Sequence, residues 1–276
     1  MSNVIYKSIT ERVKVWLDED GSTLQIQFNN PERHNALSVD MWEAVVPLLK
    51  TAEEDDRIRL VVFTGAGEKA FVSGADITQF ADMRAAQEAV ARYESMAEQA
   101  LMGIYHFSKP TLACIRGYCI GGGVNVAMSC DIRIASSDSV FAIPAARLGL
   151  GYRYSALKNL VDLVGPAMAK DLFFTARRID AKEAREIGLI TRISEPGDLL
   201  ALQAEYKQAL AANAPITVLA GKAIIAEILK ASQKLITINA VSSFITALTA
   251  KIILKDAVPL WRNVNRYSVV NNNSKR

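Results

Sequence analysis

Three short apolar runs, Arg59–Thr64, Thr111–Ile115 and Asp131–Ala135, constrain this chain more than any other feature. Each is brief, mostly apolar and bounded by turn residues, so each predicts a buried strand. The first two are each followed by a helical stretch. Met83–His106 has the spacing of a long amphipathic helix, and a glycine-rich helix separates the second run from the third. The resulting strand–strand–helix rhythm predicts an α/β core. Ahead of it, Val13–Asn29 alternates as two strands turned at Asp20-Gly21, and Ser38 stands as the N-cap of a helix from Val39 to about Ala52, with Asp40 in its first turn. From about Ala201 the pattern is helical only, broken at Asn213-Ala214-Pro215. The expected division is therefore a core over 1–200 and a small helical region over 201–276, of which 235–276 is atypical.

Bulk properties exclude several classes. At 276 residues, with 50% hydrophobic and 22% charged residues, the chain has the composition of a soluble globular enzyme. The opening MSNVIYKSIT lacks the basic and apolar regions of a signal peptide, and no apolar stretch is long enough for a bilayer, so a cytoplasmic location without membrane attachment is expected. Cys114, Cys119 and Cys130 lack metal-ligand spacing and are expected as reduced structural thiols; no metal site is expected. The net charge of +3 is uneven. Residues 235–276 carry six Lys/Arg and one acid, leaving the rest of the chain slightly negative and without a nucleic-acid footprint.

Two loops carry the chemistry. One is Gly65-Ala66-Gly67-Glu68-Lys69-Ala70-Phe71-Val72-Ser73-Gly74-Ala75-Asp76-Ile77. The other runs from Lys109-Pro110-Thr111 to Gly117-Tyr118-Cys119-Ile120-Gly121-Gly122-Gly123-Val124-Asn125. Consecutive glycines alone mean a tight turn or a close backbone approach. Here they run from a buried strand straight into a helix, whose free N–H groups favour negative charge. A thioester turning into an enolate develops such charge on oxygen, so donors at that point act on the transition state.

These segments resemble the enoyl-CoA hydratase/isomerase, or crotonase, family. The likeness runs from about Leu24 to Ile193 and includes Asn30-Pro31-Glu32-Arg33-His34-Asn35-Ala36-Leu37, both loops, Ser129-Cys130-Asp131-Ile132-Arg133, Phe141-Ala142-Ile143-Pro144, Val164-Gly165-Pro166 and Ala181–Ile190. It implies a spiral of strand–strand–helix units assembled as a homotrimer or hexamer. It also implies an acyl-CoA substrate, with coenzyme A as part of that substrate and no tightly bound cofactor. The backbone N–H groups of Ala75 and Gly122 would form an oxyanion hole beside Gly121. His34, Ala36, Leu37, Ser73, Gly74, Asp76 and Ile77 would line the coenzyme A channel, with Asp76 structural.

The sequence departs from that pattern in two places. Hydratases of the family use two glutamates; the matching positions here are Asn125 and Ala145. Neither exchanges a proton near neutral pH. Asn125 could still position a water, while Ala145 offers only space, so hydration by the usual route is expected to fail. The following loop, Leu148-Gly149-Leu150-Gly151-Tyr152-Arg153-Tyr154-Ser155, would face the acyl end. Tyr152 or Tyr154 could donate a proton there, though a packing role is the plainer reading of each. Arg153 could bind a second substrate carboxylate, and Arg147 is expected in a structural ion pair. His34 and His106 are the only histidines, and each is better read as structural than as a base. A non-catalytic acyl-CoA-binding paralogue is the alternative. An RNA-binding relative is a weaker one, because Arg84–Arg92 has mixed charge.

The second departure is the tail. Family members end in a helix patterned D-Y-x-E-G-x-x-A-F-x-E-K-R-x-P-x-F, and Leu235–Arg276 shows no such run. Regrouping the possible codons of Lys251–Ser268, so that each new codon begins on an old third base, permits D-Y-T-E-G-R-R-A-F-M-E-K-R-K-P-V-F in unbroken order. The expectation is a frameshifted ending from about Leu235, which also accounts for the tail's basicity.

Overall fold

The computed structural model describes residues 6–76 and 86–231. Ile77 and the tail from Leu235 lie outside the described residues.

The N-terminal hairpin forms as expected. Strands β1 (Val13–Leu17) and β2 (Thr23–Phe28) pair antiparallel, and Gly21 turns between them at φ 68°. Helix α1 (Val39–Glu54) buries Met41, Trp42, Val45, Leu48, Leu49 and Ala52, a stripe at three- and four-residue spacing. Ser38 does precede α1 in extended conformation, but its hydroxyl caps no backbone N–H; it donates to Asp40 Oδ1 at 2.5 Å instead. The hydroxyl proton goes to that carboxylate in a charge-assisted bond, and no cap bond from the helix N–H groups forms.

Next come three strand–strand–helix units. The first strands are β3 (Leu60–Gly65), β5 (Thr111–Ile115) and β7 (Ile132–Ser136). They lie parallel in a six-stranded sheet of order β1-β2-β3-β5-β7-β10, where β10 is Arg192–Ser194. The second strands, β4 (Ala70–Val72), β6 (Tyr118–Ile120) and β8 (Val140–Ala142), run parallel in a four-stranded sheet closed by antiparallel β9 (Arg178–Asp180). The helices are α2 (Ala86–Tyr105), α3 (Gly122–Ser129) and α5 (Tyr154–Thr175), the last reached through the one-turn α4 (Ala145–Leu148). Helix α5 bends at Gly165, whose φ of 76° only glycine adopts at low cost, directly before Pro166. Helix α6 (Ala181–Glu186) is capped by the Asp180 carboxylate, which accepts from Glu183 N at 2.8 Å.

The apolar runs of β3, β5 and β7 are buried on both faces. Val61, Phe63, Ala113, Ile115 and Ala135 face the main core, while Leu60, Val62, Leu112, Cys114 and Ile134 face a second one. The two sets alternate along each strand, as the pleat requires. Helix α7 (Leu199–Ala212) covers the second face with Leu199 and Leu202, so the helical region set apart at residue 201 begins with a helix packed on the sheet. Helix α8 (Pro215–Ala231) follows, and the compact unit runs to Ala223; residues from Ile224 form a second unit. Asp131 ties the first unit together, its Oδ2 accepting from Thr111 N at 2.8 Å and from Lys222 Nζ at 2.7 Å. All three cysteines are buried and free, and burial pushes the Cys114 thiol up to about 12. No single described helix is long and apolar enough to cross a membrane.

Candidate active site

Because β4, β6 and β8 are parallel neighbours, the segments that leave their C-terminal ends are brought side by side. These are Ser73-Gly74-Ala75-Asp76, Gly121-Gly122 and Ile143-Pro144-Ala145. Open parallel sheets bind ligands at that end. Gly121 N donates to Ala142 O at 2.9 Å, which keeps the second and third segments in register beyond the strands. A Cβ built on Gly122 would stand 3.6 Å from Leu37 Cδ1 and 3.8 Å from Gly74 Cα, so the first and second segments are in van der Waals reach.

Glycine is needed at two of these positions. Gly121 enters α3 with φ 53° and ψ −109°. Gly123 is pressed so closely onto β4 that a Cβ would lie 2.3 Å from the Val72 carbonyl oxygen.

The 73–76 loop is held from below by the turn before α1. Leu37 N donates to Gly74 O and Asp76 N donates to Leu37 O, each at 2.8 Å, forming a parallel bridge between Leu37 and Ala75. In that pattern Ala75 turns its own N–H away from Leu37, and it donates to no described residue. The Gly122 N–H, at the first position of α3, also has no described acceptor. Two open backbone donors thus top adjacent strands, and one of them carries the positive end of a helix dipole.

Asn35 anchors this arrangement. It is fully buried at φ 56°, and its Nδ2 donates to Ala66 O at 2.9 Å and Ala70 O at 2.7 Å, while its Oδ1 accepts from Asn30 N at 2.9 Å. Asparagine tolerates the left-handed backbone, and its position before the helix was the available signal for this clamp. Asp76 is 5% exposed and paired with Arg33 at 3.2 Å, in keeping with a structural role. Ser73 donates through Oγ to Arg33 O. Below the loop on α2, burial pushes the Tyr93 phenol up to about 12, with the Asp76 charge adding to the effect.

Several expected roles change. Leu37 is fully buried and Ala36 is 8% exposed, so both side chains are packed away from solvent. Ala145 leaves no space: it is 4% exposed and belongs to the main core. Arg153 is not a free carboxylate receptor, since Glu94 (3.3 Å) and Glu98 (3.8 Å) on α2 already neutralise it. Arg147 is exposed and makes no ion pair with a described residue, because its one-turn helix faces it outward. Tyr154 is 58% exposed at the start of α5. His106 directly follows α2 with its ring edge-on to Tyr105, and exposed His34 stands edge-on to Tyr118. His34 borders a cavity of about 250 Å³ between the 31–35 turn and Ala66–Ala70.

One residue of the 148–154 loop turns inward. Tyr152 packs edge-on to Phe173 at 5.3 Å, and its hydroxyl donates to Asn125 Oδ1 at 2.6 Å. Asn125 sits in the first turn of α3, with N donating to Gly121 O and O accepting from Ser129 Oγ. Burial pushes the Tyr152 phenol further above its ordinary range, so it is a protonated donor at neutral pH.

This spiral, with open donors above β4 and β6, has counterparts among known proteins. The enoyl-CoA hydratase/isomerase family model matches residues 18–252. The chain belongs to that family. The short-chain-enoyl-CoA hydratase of Clostridium acetobutylicum is 36% identical over 204 residues, which are 74% of this chain and 77% of that protein. The peroxisomal Delta(3,5)-Delta(2,4)-dienoyl-CoA isomerase of Arabidopsis thaliana is 31% identical over 185 residues, 63% of this chain and 66% of its own length. The crystal structure of an enoyl-CoA hydratase from Bacillus anthracis superposes with a TM-score of 0.75 at 30% identity, covering 78% of this chain and 83% of that one. Both hydratase and isomerase names therefore occur among this family member's relatives.

Proposed function

We propose that this family member is an acyl-CoA enzyme that holds the thioester carbonyl oxygen between the N–H groups of Ala75 and Gly122 and stabilises an enolate there. The observation that carries this reading is the pair of open donors on adjacent strand ends, with the α3 dipole behind one of them. The turn at His34–Leu37 and the Ser73–Asp76 loop, with Ile77 next in sequence, frame the coenzyme A channel. The cavity beside His34 has room for part of that group. Coenzyme A enters with the substrate, and a homotrimer or hexamer is the assembly the family relationship supports.

Water addition by paired carboxylates is not part of this reading. The two positions are Asn125 and buried Ala145, and neither takes or gives a proton near neutral pH. General acid–base catalysis is worth roughly a hundred- to ten-thousand-fold. Crotonyl-CoA and butyryl-CoA should both bind in calorimetric titration, while crotonyl-CoA hydration runs at least about a hundredfold below that of a two-glutamate relative. A folded protein that binds neither thioester, or one that hydrates crotonyl-CoA at an ordinary family rate, would defeat the reading. The same two residues favour a second reading, a non-catalytic acyl-CoA-binding protein. Turnover of any enoyl- or acyl-CoA thioester separates the two.

A further inference from the structure

We infer that Asn125 and Tyr152 form a clamp whose outward amide NH2 selects acyl-CoA thioesters bearing a ketone at the β-carbon, that is, 3-oxoacyl-CoA. This rests on the thioester reading above. A side-chain amide has an acceptor oxygen with two lone pairs and an NH2 with two donors. The Asn125 oxygen accepts from the Tyr152 hydroxyl at 2.6 Å, and Phe173 backs the tyrosine ring at 5.3 Å. The amide is therefore fixed with its NH2 outward. That nitrogen donates to no described residue, and Asn125 is only half-buried.

Its place on α3 says what the donors meet. Asn125 lies three residues after Gly122 on an eight-residue helix, hence on the same side and about 4.5 Å further along the axis. Side chains on a helix lean toward its N-terminus, so the amide leans back toward the Gly122 N–H. A thioester seated on Gly122 would carry its β-carbon within about 2.5 Å of its carbonyl carbon, inside the reach of that amide.

The polarity decides the ligand. A carboxylate here would accept from a hydroxyl or a water. The outward group of the clamp is the NH2, so its complement is an acceptor oxygen at the β-carbon, and a ketone supplies one with no proton of its own to place. A water bound to it would present its lone pair to the amide, and no described carboxylate contacts Asn125 to take the proton. With a methylene at the β-carbon, the amide donors face hydrocarbon and stay unpaired.

The test is calorimetric titration of the full chain with acetoacetyl-CoA and butyryl-CoA, which share a four-carbon acyl chain. Acetoacetyl-CoA should bind roughly fivefold to tenfold more tightly, the effect of one neutral hydrogen bond. Asn125→Leu should bring the ratio to about one, and Tyr152→Phe, which releases the amide to rotate, should lower it to about twofold. A role confined to packing would change both affinities and leave their ratio alone. Equal wild-type affinities overturn the clamp and leave the thioester site standing, as does a preference that survives Asn125→Leu. If neither thioester binds, the underlying reading falls and the clamp with it. The wild-type ratio can overturn the proposal even if a variant fails to fold.

Discussion

Asp55, at the end of α1, shows how much one side chain can organise. Its carboxylate accepts from Arg57 Nε at 2.9 Å and Nη2 at 2.7 Å, from Arg57 N, and from the Tyr6 hydroxyl at 3.0 Å. The Arg57 hydrogen bonds hold its pKa down at about 2 despite burial. A depressed folded-state pKa stabilises the fold above the unfolded value, near 4, and that contribution disappears as pH falls from about 4 to 2. Asp55→Asn should therefore lower Tm by about 3 °C at pH 7. The gap from wild type should shrink steadily below pH 4 in thermal unfolding. A gap that stays constant down to pH 2 would disprove the assignment. None of this was legible in the sequence, where Asp55 is one acid in the run Glu53-Glu54-Asp55-Asp56. The Asn125–Tyr152 pair was half-legible. Each residue stood out alone, but a separation of 27 positions hides a hydrogen bond that only folding makes.

Among the elements, α3 carries the site, and its fit on β4 sets where the Gly122 N–H lies. Gly123→Ala would drive a Cβ to 2.3 Å from the Val72 carbonyl, so the helix start must shift by about 1 Å. Such a variant should lose at least about tenfold in acyl-CoA affinity by calorimetry and melt earlier. Gly103 on α2 is the contrasting case. A Cβ there would make an ordinary 3.6 Å contact with Leu49 Cδ1, so Gly103→Ala should stabilise by about 0.5–1 kcal/mol and leave affinity unchanged. If both variants behave alike, the close approach at Gly123 is not what places the helix. The five- and six-residue runs of β3, β5 and β7 were readable as buried strands. The three-residue strands β4, β6 and β8 were not, because three residues hold too little periodicity to separate strand from loop.

At the scale of the whole molecule, the expectation for the ending is testable at the level of the gene. Lys251–Ser268, which lies outside the described residues, permits the family's terminal pattern when read on the alternative codon grouping. Sequencing the DNA behind these residues should return codons compatible with both readings. A chain carrying the alternative ending should bind crotonyl-CoA at least about tenfold more tightly than the 276-residue chain. Incompatible codons, or equal affinities, would sink the idea. What the sequence determined alone was local and compositional. The hairpin at Asp20-Gly21, the buried strands, the glycines leading into α3 and the missing carboxylates at 125 and 145 follow from residue identity and spacing. Tertiary structure decided which of these meet. Parallel pairing of β4, β6 and β8 set three distant loops at one edge, burial turned Ala145 into packing, and Glu94 and Glu98 neutralised Arg153. Sequence patterns report which faces must avoid water. They do not report which polar groups, far apart along the chain, will satisfy one another once those faces close.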